Sequence, residues 1–287
     1  MANALDLFTI DGEELKPKLD KGFVALFVGR SGSGKDCAQW SFPGPSYTFD
    51  IDNRIRGGLS SLAWLGKERI SKVDFDFYNP KDGFEAIDNK GSIILIDAQQ
   101  RKCKYKSIFV NSVGSLAAML ARDSLRLRGQ EGKFEGKVRG KVKFLHPDDY
   151  NYVSTAFRIL MFEWVMPLAE VGINVIFSAW VTNLWGKKQG SSDYAPSEVI
   201  GERLAGASQN LAEEIPGYFD EVYRFYKEEN PIVSQGPKHF AEFTGGFAKS
   251  ALGLPPGKFE ITGKNFYEFL ISKLNEKKVE KKVEVKK

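Results

Sequence analysis

The segment FVALFVGRSGSGKD, residues 23 to 36, constrains the fold more than any other part of this sequence. Phe23 to Val28 is a short, continuous apolar run, which is typical of a strand buried on both faces of a sheet. Glycines follow at positions 29, 32 and 34, and the segment from Asp36 to Phe42 predicts a short helix that Pro43 stops. A buried strand, a glycine loop and a helix in direct succession are typical of a phosphate-binding loop.

In such a loop the glycines let the backbone turn its N–H groups towards phosphate oxygens, while Lys35 reaches the β- and γ-phosphates. The motif departs from its usual form at Asp36, because Ser or Thr normally follows the lysine and holds Mg²⁺. Two interpretations of Asp36 stay open: its carboxylate binds the metal directly, or the site has decayed and the acid only favours the first turn of the helix. The expected nucleotide-binding residues are Gly29, Arg30, Ser31, Gly32, Ser33, Gly34, Lys35, Asp36 and Cys37.

Strand and helix patterns alternate along the rest of the chain, which predicts an α/β fold with a mostly parallel sheet covered by helices on both faces. The segment 84–101 reads as a helix, although its IILI run is also compatible with a strand. Further strands are predicted at 46–51, 107–110, 173–180, 218–226 and 238–243, and further helices at 112–126, 149–171 and 264–274. Residues 1–274 are expected to form one core, with a basic insertion at about 122–149, a mobile loop at about 183–200 and a disordered charged tail at 275–287.

The net charge of +4 does not indicate a basic surface over the whole domain. The last eleven residues, KKVEKKVEVKK, hold six lysines and two glutamates and so supply all of this charge. A local basic stretch exists between Arg122 and His146, where eight Lys or Arg residues face three acidic ones. Two cysteines without a metal or disulfide spacing, and no apolar run long enough for a membrane, predict a reduced, cytoplasmic setting.

A magnesium site beside a phosphate loop also needs a polar residue at the end of another strand. Asp97 closes IILID, and Asn111 closes SIFVN. We favour Asn111, because a small-residue turn and a clear helix follow it, and Asp97 stays as the alternative.

Four stretches together resemble phage-encoded RecA-type ATPases, and most of all the Sak-type single-strand annealing ATPases. They are GRSGSGKD, SFPGPSYTFDIDNRIRGG, IFVNSVGSLAAML and GGFAKSALGLPP, and the likeness spans roughly residues 20 to 257. The resemblance implies a RecA-like P-loop NTPase core that uses ATP and Mg²⁺. It implies that Asp52 is the general base for water attack, that Asn111 stands where the family has its magnesium aspartate, and that Lys249 is a basic finger towards a neighbour's nucleotide.

In RecA-type proteins, loops after the later strands hold single-stranded DNA. Two loops have the corresponding order here: the first is the basic stretch 122–146, and the second is the loop 183–200. A solvated hairpin is the alternative for the first loop, and simple packing is the alternative for Trp185. Binding by either loop would tolerate any sequence and weaken steeply with salt. The expected DNA-binding residues are Arg126, Arg128, Lys133, Lys137, Arg139, Lys141, Lys143, Trp185, Lys187 and Lys188.

The resemblance therefore implies an ATP-hydrolysing, single-stranded-DNA-binding protein of phage recombination that anneals or pairs strands in the host cytoplasm. It also implies a homo-oligomeric ring or filament, with a single-strand-binding protein as a candidate partner and no membrane. Two alternatives stay open: a nucleotide- or DNA-binding protein of the same fold that has lost hydrolysis, and a small-molecule P-loop kinase.

Overall fold

The structure, a computed structural model, describes most of the chain, with gaps between the described stretches. These stretches are residues 9–10, 13–14, 21–55, 72–79, 83–127, 147–186, 198–205, 209–230, 236–245 and 248–284.

A nine-stranded, mostly parallel sheet forms the centre of the fold. Four further described strands pair outside this sheet, β1 with β2 and β8 with β9. In chain order the described strands are β1 Thr9–Ile10, β2 Glu13–Glu14, β3 Val24–Gly29, β4 Ser46–Asp50, β5 Val73–Phe77, β6 Ser107–Asn111, β7 Asn174–Ala179, β8 Val181–Gly186, β9 Glu198–Leu204, β10 Glu221–Glu228, β11 Lys238–Glu242, β12 Lys249–Ser250 and β13 Lys258–Glu260. The order across the sheet is β13-β11-β10-β3-β7-β6-β4-β5, and β12 also pairs with β10. The strands from β10 to β5 are parallel, whereas β11, β12 and β13 add an antiparallel edge.

Helices cover both faces of this sheet because side chains of the central strands alternate between two apolar clusters. Val24, Leu26 and Val28 of β3 face one cluster, and Ala25 and Phe27 face the other. The helices are α1 Lys35–Trp40, α2 Glu85–Gln99, α3 Val113–Leu127, α4 Pro147–Leu160, α5 Met166–Glu170, α6 Gln209–Glu214 and α7 Phe266–Glu284. Helices α2 to α6 pack on the first face, and α1 and α7 pack on the second.

The long helix predicted at 149–171 is interrupted by a π-helical turn at Met161–Val165 that separates α4 from α5. The wider turn lies just before Pro167, which has no N–H to donate to the carbonyl four residues earlier. Because the turn packs against α2, it brings Trp164 into the core, where its indole meets Gly91.

The predicted α/β class, with a mostly parallel sheet and helices on both faces, is confirmed. The strand interpretation of IILI is wrong, because these residues lie in α2, where Ile87 and Ile94 recur on one buried face. Asp97 consequently sits within a helix and closes no strand.

The structure describes parts of two other predicted segments. The predicted mobile loop 183–200 begins and ends in β8 and β9, which form an antiparallel hairpin, and residues 187–197 between them lie outside the described residues. The predicted disordered tail is helical as far as Glu284, since its lysines and glutamates are good helix formers. No described helix combines the length and apolarity needed to cross a membrane.

Candidate functional site

The glycine loop lies at the carboxyl edge of the sheet, where the strand order changes direction. Beside it, β3 pairs with β7, with Val28 opposite Ala179. From β3 the chain passes through α1 on one face towards β4, and after β7 it returns through α6 on the other face to β10. Parallel sheets bind ligands in the crevice that such a reversal opens beyond their strand ends.

Three positions of the loop require glycine. A Cβ on Gly29 would lie 2.4 Å from the carbonyl oxygen of Phe225 and 2.6 Å from Ser33 Oγ. Gly32 and Gly34 have φ angles of 73° and 93°, in the left-handed region that side chains disfavour. Among the described residues beyond its two chain neighbours, no atom lies within 4 Å of where a Cβ on Gly32 would be, so this part of the loop faces open space. The loop therefore has the backbone freedom and the access that phosphate binding needs.

Lys35 is a buried cation beneath this loop, with only 3% of its surface exposed. Burial lowers the pKa of its ammonium group, and Asp36 and Asp52 oppose that shift by their negative charge. Among the described residues the ammonium forms no ion pair and no hydrogen bond, and it lies 5.7 Å from the centre of the Trp180 ring. A buried charge that neighbouring carboxylates offset only in part is costly, and an anionic ligand would remove that cost.

The two acids at the end of β4, Asp50 and Asp52, have different roles. Asp50 is 2% exposed, and its carboxylate accepts hydrogen bonds from the backbone N–H groups of Arg54 at 3.1 Å and Ile55 at 3.2 Å. Burial raises its pKa, although these two donors act in the opposite direction. Asp50 therefore fixes the turn that follows β4, and the more exposed Asp52 is the acid that is free to face a ligand.

Two serines that sequence reasoning missed hold the side chain of Asp52. Ser112 donates to Asp52 Oδ1 at 3.2 Å, and Ser115 donates to the same oxygen. Both lie at the start of α3, one helical turn apart, directly after the predicted metal residue Asn111. A serine three residues after another at a helix start was the available signal, because such residues share a face.

The two predicted metal residues differ in their surroundings. Asp36 is exposed in the first turn of α1. Asn111 is 9% exposed, and its amide oxygen accepts a hydrogen bond from Ser178 at 3.0 Å. Within the described ranges no three acidic, histidine or cysteine side chains group into a metal site. This donor set fits Mg²⁺ only if the ion takes most of its ligands from phosphate and water, which is the usual case for Mg²⁺ beside a nucleotide.

A pocket of about 520 Å³ opens beside the loop, between α1 and the antiparallel edge of the sheet. His239 of β11, interpreted from the sequence as a surface or packing residue, lies at this junction, with its Nδ1 3.1 Å from the carbonyl oxygen of Ser33. Apolar walls and a few polar groups give the pocket the usual character of a small-molecule site. Its lining comprises Gly32, Gly34, Lys35, Asp36, Cys37, Ala38, Gly236, Pro237, His239, Ile261, Thr262, Gly263, Lys264 and Phe266.

The side chain of Arg30, the second residue of the loop, points to the β8–β9 hairpin. It donates to Asn183 and forms an ion pair with Glu202 at 3.1 Å. Glu202 also pairs with Arg224 of β10 at 2.6 Å. Arg30 therefore ties the loop to the hairpin.

Most of the predicted DNA-binding residues lie outside the described residues, namely Arg128, Lys133, Lys137, Arg139, Lys141, Lys143, Lys187 and Lys188. Arg126 is in the last turn of α3, at the end remote from the loop, where it pairs with Asp123 at 3.5 Å. Trp185 belongs to β8, which leaves the carboxyl edge of the sheet beside the loop. Lys249 is exposed on β12, opposite Val222 near the start of β10, and away from the loop.

The chain matches no protein-family model, and no significant match to it is found among curated proteins. The geometry of the site therefore carries the functional conclusion.

Proposed function

We propose that this protein binds ATP in the crevice above β3 and hydrolyses it, within a RecA-type P-loop core that acts on single-stranded DNA. The observation that carries the proposal is Lys35, a buried cation beneath a glycine loop, whose charge no described residue pairs. A triphosphate held by the loop would supply the missing negative charge.

The neighbouring pocket supports a nucleotide over a bare phosphate. Its volume of about 520 Å³ is in the range that small organic ligands occupy. It begins at Gly32 and Lys35, where phosphates would lie, and extends to Pro237, Ile261 and Phe266, which offer apolar contact to a base. We therefore assign the base and ribose to this pocket.

Asp52 is the proposed general base. A base of this kind must be ionised and held at a fixed position, so that it can take a proton from the attacking water. The hydrogen bonds from Ser112 and Ser115 fix one carboxylate oxygen of Asp52 and leave the other oxygen to accept that proton. Mg²⁺, when bound with the nucleotide, would neutralise phosphate charge, with Asp36 as its proposed direct ligand and Asn111 as a support through water.

Single-stranded DNA and assembly into a ring or filament enter this proposal through the sequence resemblance to RecA-type proteins. The hairpin of β8 and β9 supports the DNA proposal, because it leaves the same edge of the sheet as the phosphate loop. DNA held there would lie near the nucleotide.

The test uses the full chain and measures ATP binding by calorimetry and phosphate release with and without single-stranded DNA. Lys35→Met should weaken ATP binding by about tenfold or more, the loss expected for a charge-assisted hydrogen bond. Asp52→Asn should reduce turnover by about 10²- to 10⁴-fold and leave ATP affinity within about threefold. Asp97→Asn is the matched control, because Asp97 lies in α2 and should leave both quantities unchanged.

The outcomes distinguish the proposed ATPase from the alternative functions. ATP binding without turnover in the wild type would indicate a nucleotide-binding protein of the same fold that has lost hydrolysis. No ATP binding would refute the proposal. Comparison of Asp36→Thr and Asn111→Asp across a Mg²⁺ titration tests the metal ligands, because the first variant restores the usual hydroxyl and the second the usual carboxylate. ATP binding that does not depend on Mg²⁺ would exclude a metal-binding role for Asp36.

A further inference from the structure

Arg54 is a second cation close to Lys35 of the phosphate loop. The guanidinium carbon of Arg54 is 4.2 Å from the centre of the Trp180 ring, and Lys35 Nζ is 5.7 Å from the same ring. The two positive groups are therefore within about 10 Å of each other. The charge of Arg54 acts on Lys35, since it is among the causes that lower the pKa of Lys35.

Arg54 is held in this place at both ends. Its backbone N–H donates to the buried carboxylate of Asp50, which fixes the turn after β4. Its guanidinium lies over the indole of Trp180, the residue that directly follows β7. A planar guanidinium on an aromatic face keeps its N–H groups directed sideways and available for hydrogen bonds.

No acidic partner among the described residues explains the position of the Arg54 guanidinium. Within the described part of the chain neither Arg54 nor Lys35 forms an ion pair, although Asp52 stands nearby and engages Ser112 and Ser115 instead. Surface arginines usually extend into water, and two neighbouring cations repel each other. A site that holds both cations, with no ion pair to either among the described residues, is prepared for an anion with more than one negative group.

We propose that Arg54 binds the terminal phosphate of the nucleoside triphosphate, in the same chain that supplies the loop, and that Trp180 is the positioning residue that holds its guanidinium there. This inference rests on the proposed nucleotide binding and goes beyond it by assigning the preference for triphosphate over diphosphate to one residue. Guanidinium groups bind phosphate oxygens through two parallel hydrogen bonds, which a diphosphate bound by the loop would not receive from Arg54.

The experiment compares ATP and ADP binding by calorimetry in the full-length wild type and in Arg54→Gln. Loss of the guanidinium should weaken ATP binding by about tenfold and ADP binding by less than about twofold. Arg54→Lys, which keeps the charge and loses the two-pronged geometry, should recover only part of the ATP affinity. Arg101→Gln is the matched control, because Arg101 is an exposed arginine before β6, at the opposite edge of the sheet.

Tryptophan fluorescence gives a second readout that a purely structural role would not change. ATP should draw the guanidinium towards its phosphate and change the emission of Trp180, whereas ADP should change it little. The chain has five tryptophans, so the Trp180→Phe variant identifies the contribution of this one. Circular dichroism melts of each variant show that it is folded.

The outcomes distinguish the role of Arg54 from nucleotide binding itself. Equal losses of ATP and ADP affinity in Arg54→Gln, or no loss of either, overturn the role of Arg54 while nucleotide binding stands. A wild type that binds neither nucleotide overturns both. A fluorescence response to ATP that persists unchanged in Trp180→Phe overturns the role of Trp180.

Discussion

Replacement of Lys35 by methionine should make the ligand-free protein more stable. The lysine is 3% exposed, so its carbon chain is already packed, and methionine preserves most of that apolar contact. The substitution mainly removes a buried ammonium group, whose charge Asp36 and Asp52 offset only in part. We expect a gain of about 1 kcal/mol in the free energy of unfolding, which is typical when a functional residue that costs stability is removed. For a chain of this size the gain corresponds to a rise of about 2 °C in Tm.

The gain should depend on pH with a defined sign. Because burial lowers the pKa of Lys35 below its ordinary value of 10.5, the unfolded chain binds more protons than the folded chain between the two pKa values. The stability cost of the buried cation is therefore complete below the lowered pKa, and it disappears as the pH rises towards 10.5. Methionine carries no proton, so the difference between Lys35→Met and the wild type should be largest near neutral pH and smaller near about pH 10.

Urea unfolding at these two pH values measures the difference, and Lys102→Met is the control, because Lys102 is exposed at the far edge of the sheet. ATP at about 100 times its Kd should stabilise the wild type by about 2.7 kcal/mol, and at the same concentration it should stabilise Lys35→Met much less. A variant less stable than the wild type at neutral pH, or a difference that does not change with pH, would refute the idea that the buried charge of Lys35 costs stability.

Three further substitutions test the packing that supports the site. Gly91→Ala would place a Cβ 2.5 Å from the Trp164 ring, so we expect a loss of about 1–3 kcal/mol in urea unfolding. Gly29→Ala would meet the Phe225 carbonyl at 2.4 Å and should reduce both stability and ATP affinity, since the backbone itself must move. Asp50→Ala leaves two N–H groups of the turn without their acceptor, and calorimetric melting should show a loss of about 2 kcal/mol or more. Unchanged stability in any of these variants would contradict the corresponding contact.

The parallel core could be predicted because its strands are short apolar runs buried on both faces, as in β3, β6 and β7. Parallel strands bring their carboxyl ends to one edge, so the loop, Asp52 and Asn111 could be expected together from their order alone. The helix at 85–99 was ambiguous from its apolar run, since IILI suits a buried strand equally well. The contact of Gly91 with Trp164, which joins distant parts of the chain, belongs only to the helical arrangement.

The remaining parts of the site depend on contacts that no local pattern encodes. His239 reaches the loop because β11 pairs antiparallel with β10, and the register of that pair is set by the whole edge of the sheet. Arg54 and Trp180 meet across β4 and β7, which are separated by β6. A single histidine, arginine or tryptophan in the sequence does not indicate which distant residue its side chain will contact.

Arg30 illustrates why the unspecified positions of a short motif carry information about one particular protein. A phosphate loop uses backbone N–H groups at these positions, so their side chains are free to make other contacts. Here the side chain of Arg30 binds Glu202, which in turn binds Arg224. These ion pairs join the loop to β9 and β10. The side chain at a variable position of the motif can therefore connect the loop to a neighbouring segment, which here is the β8–β9 hairpin.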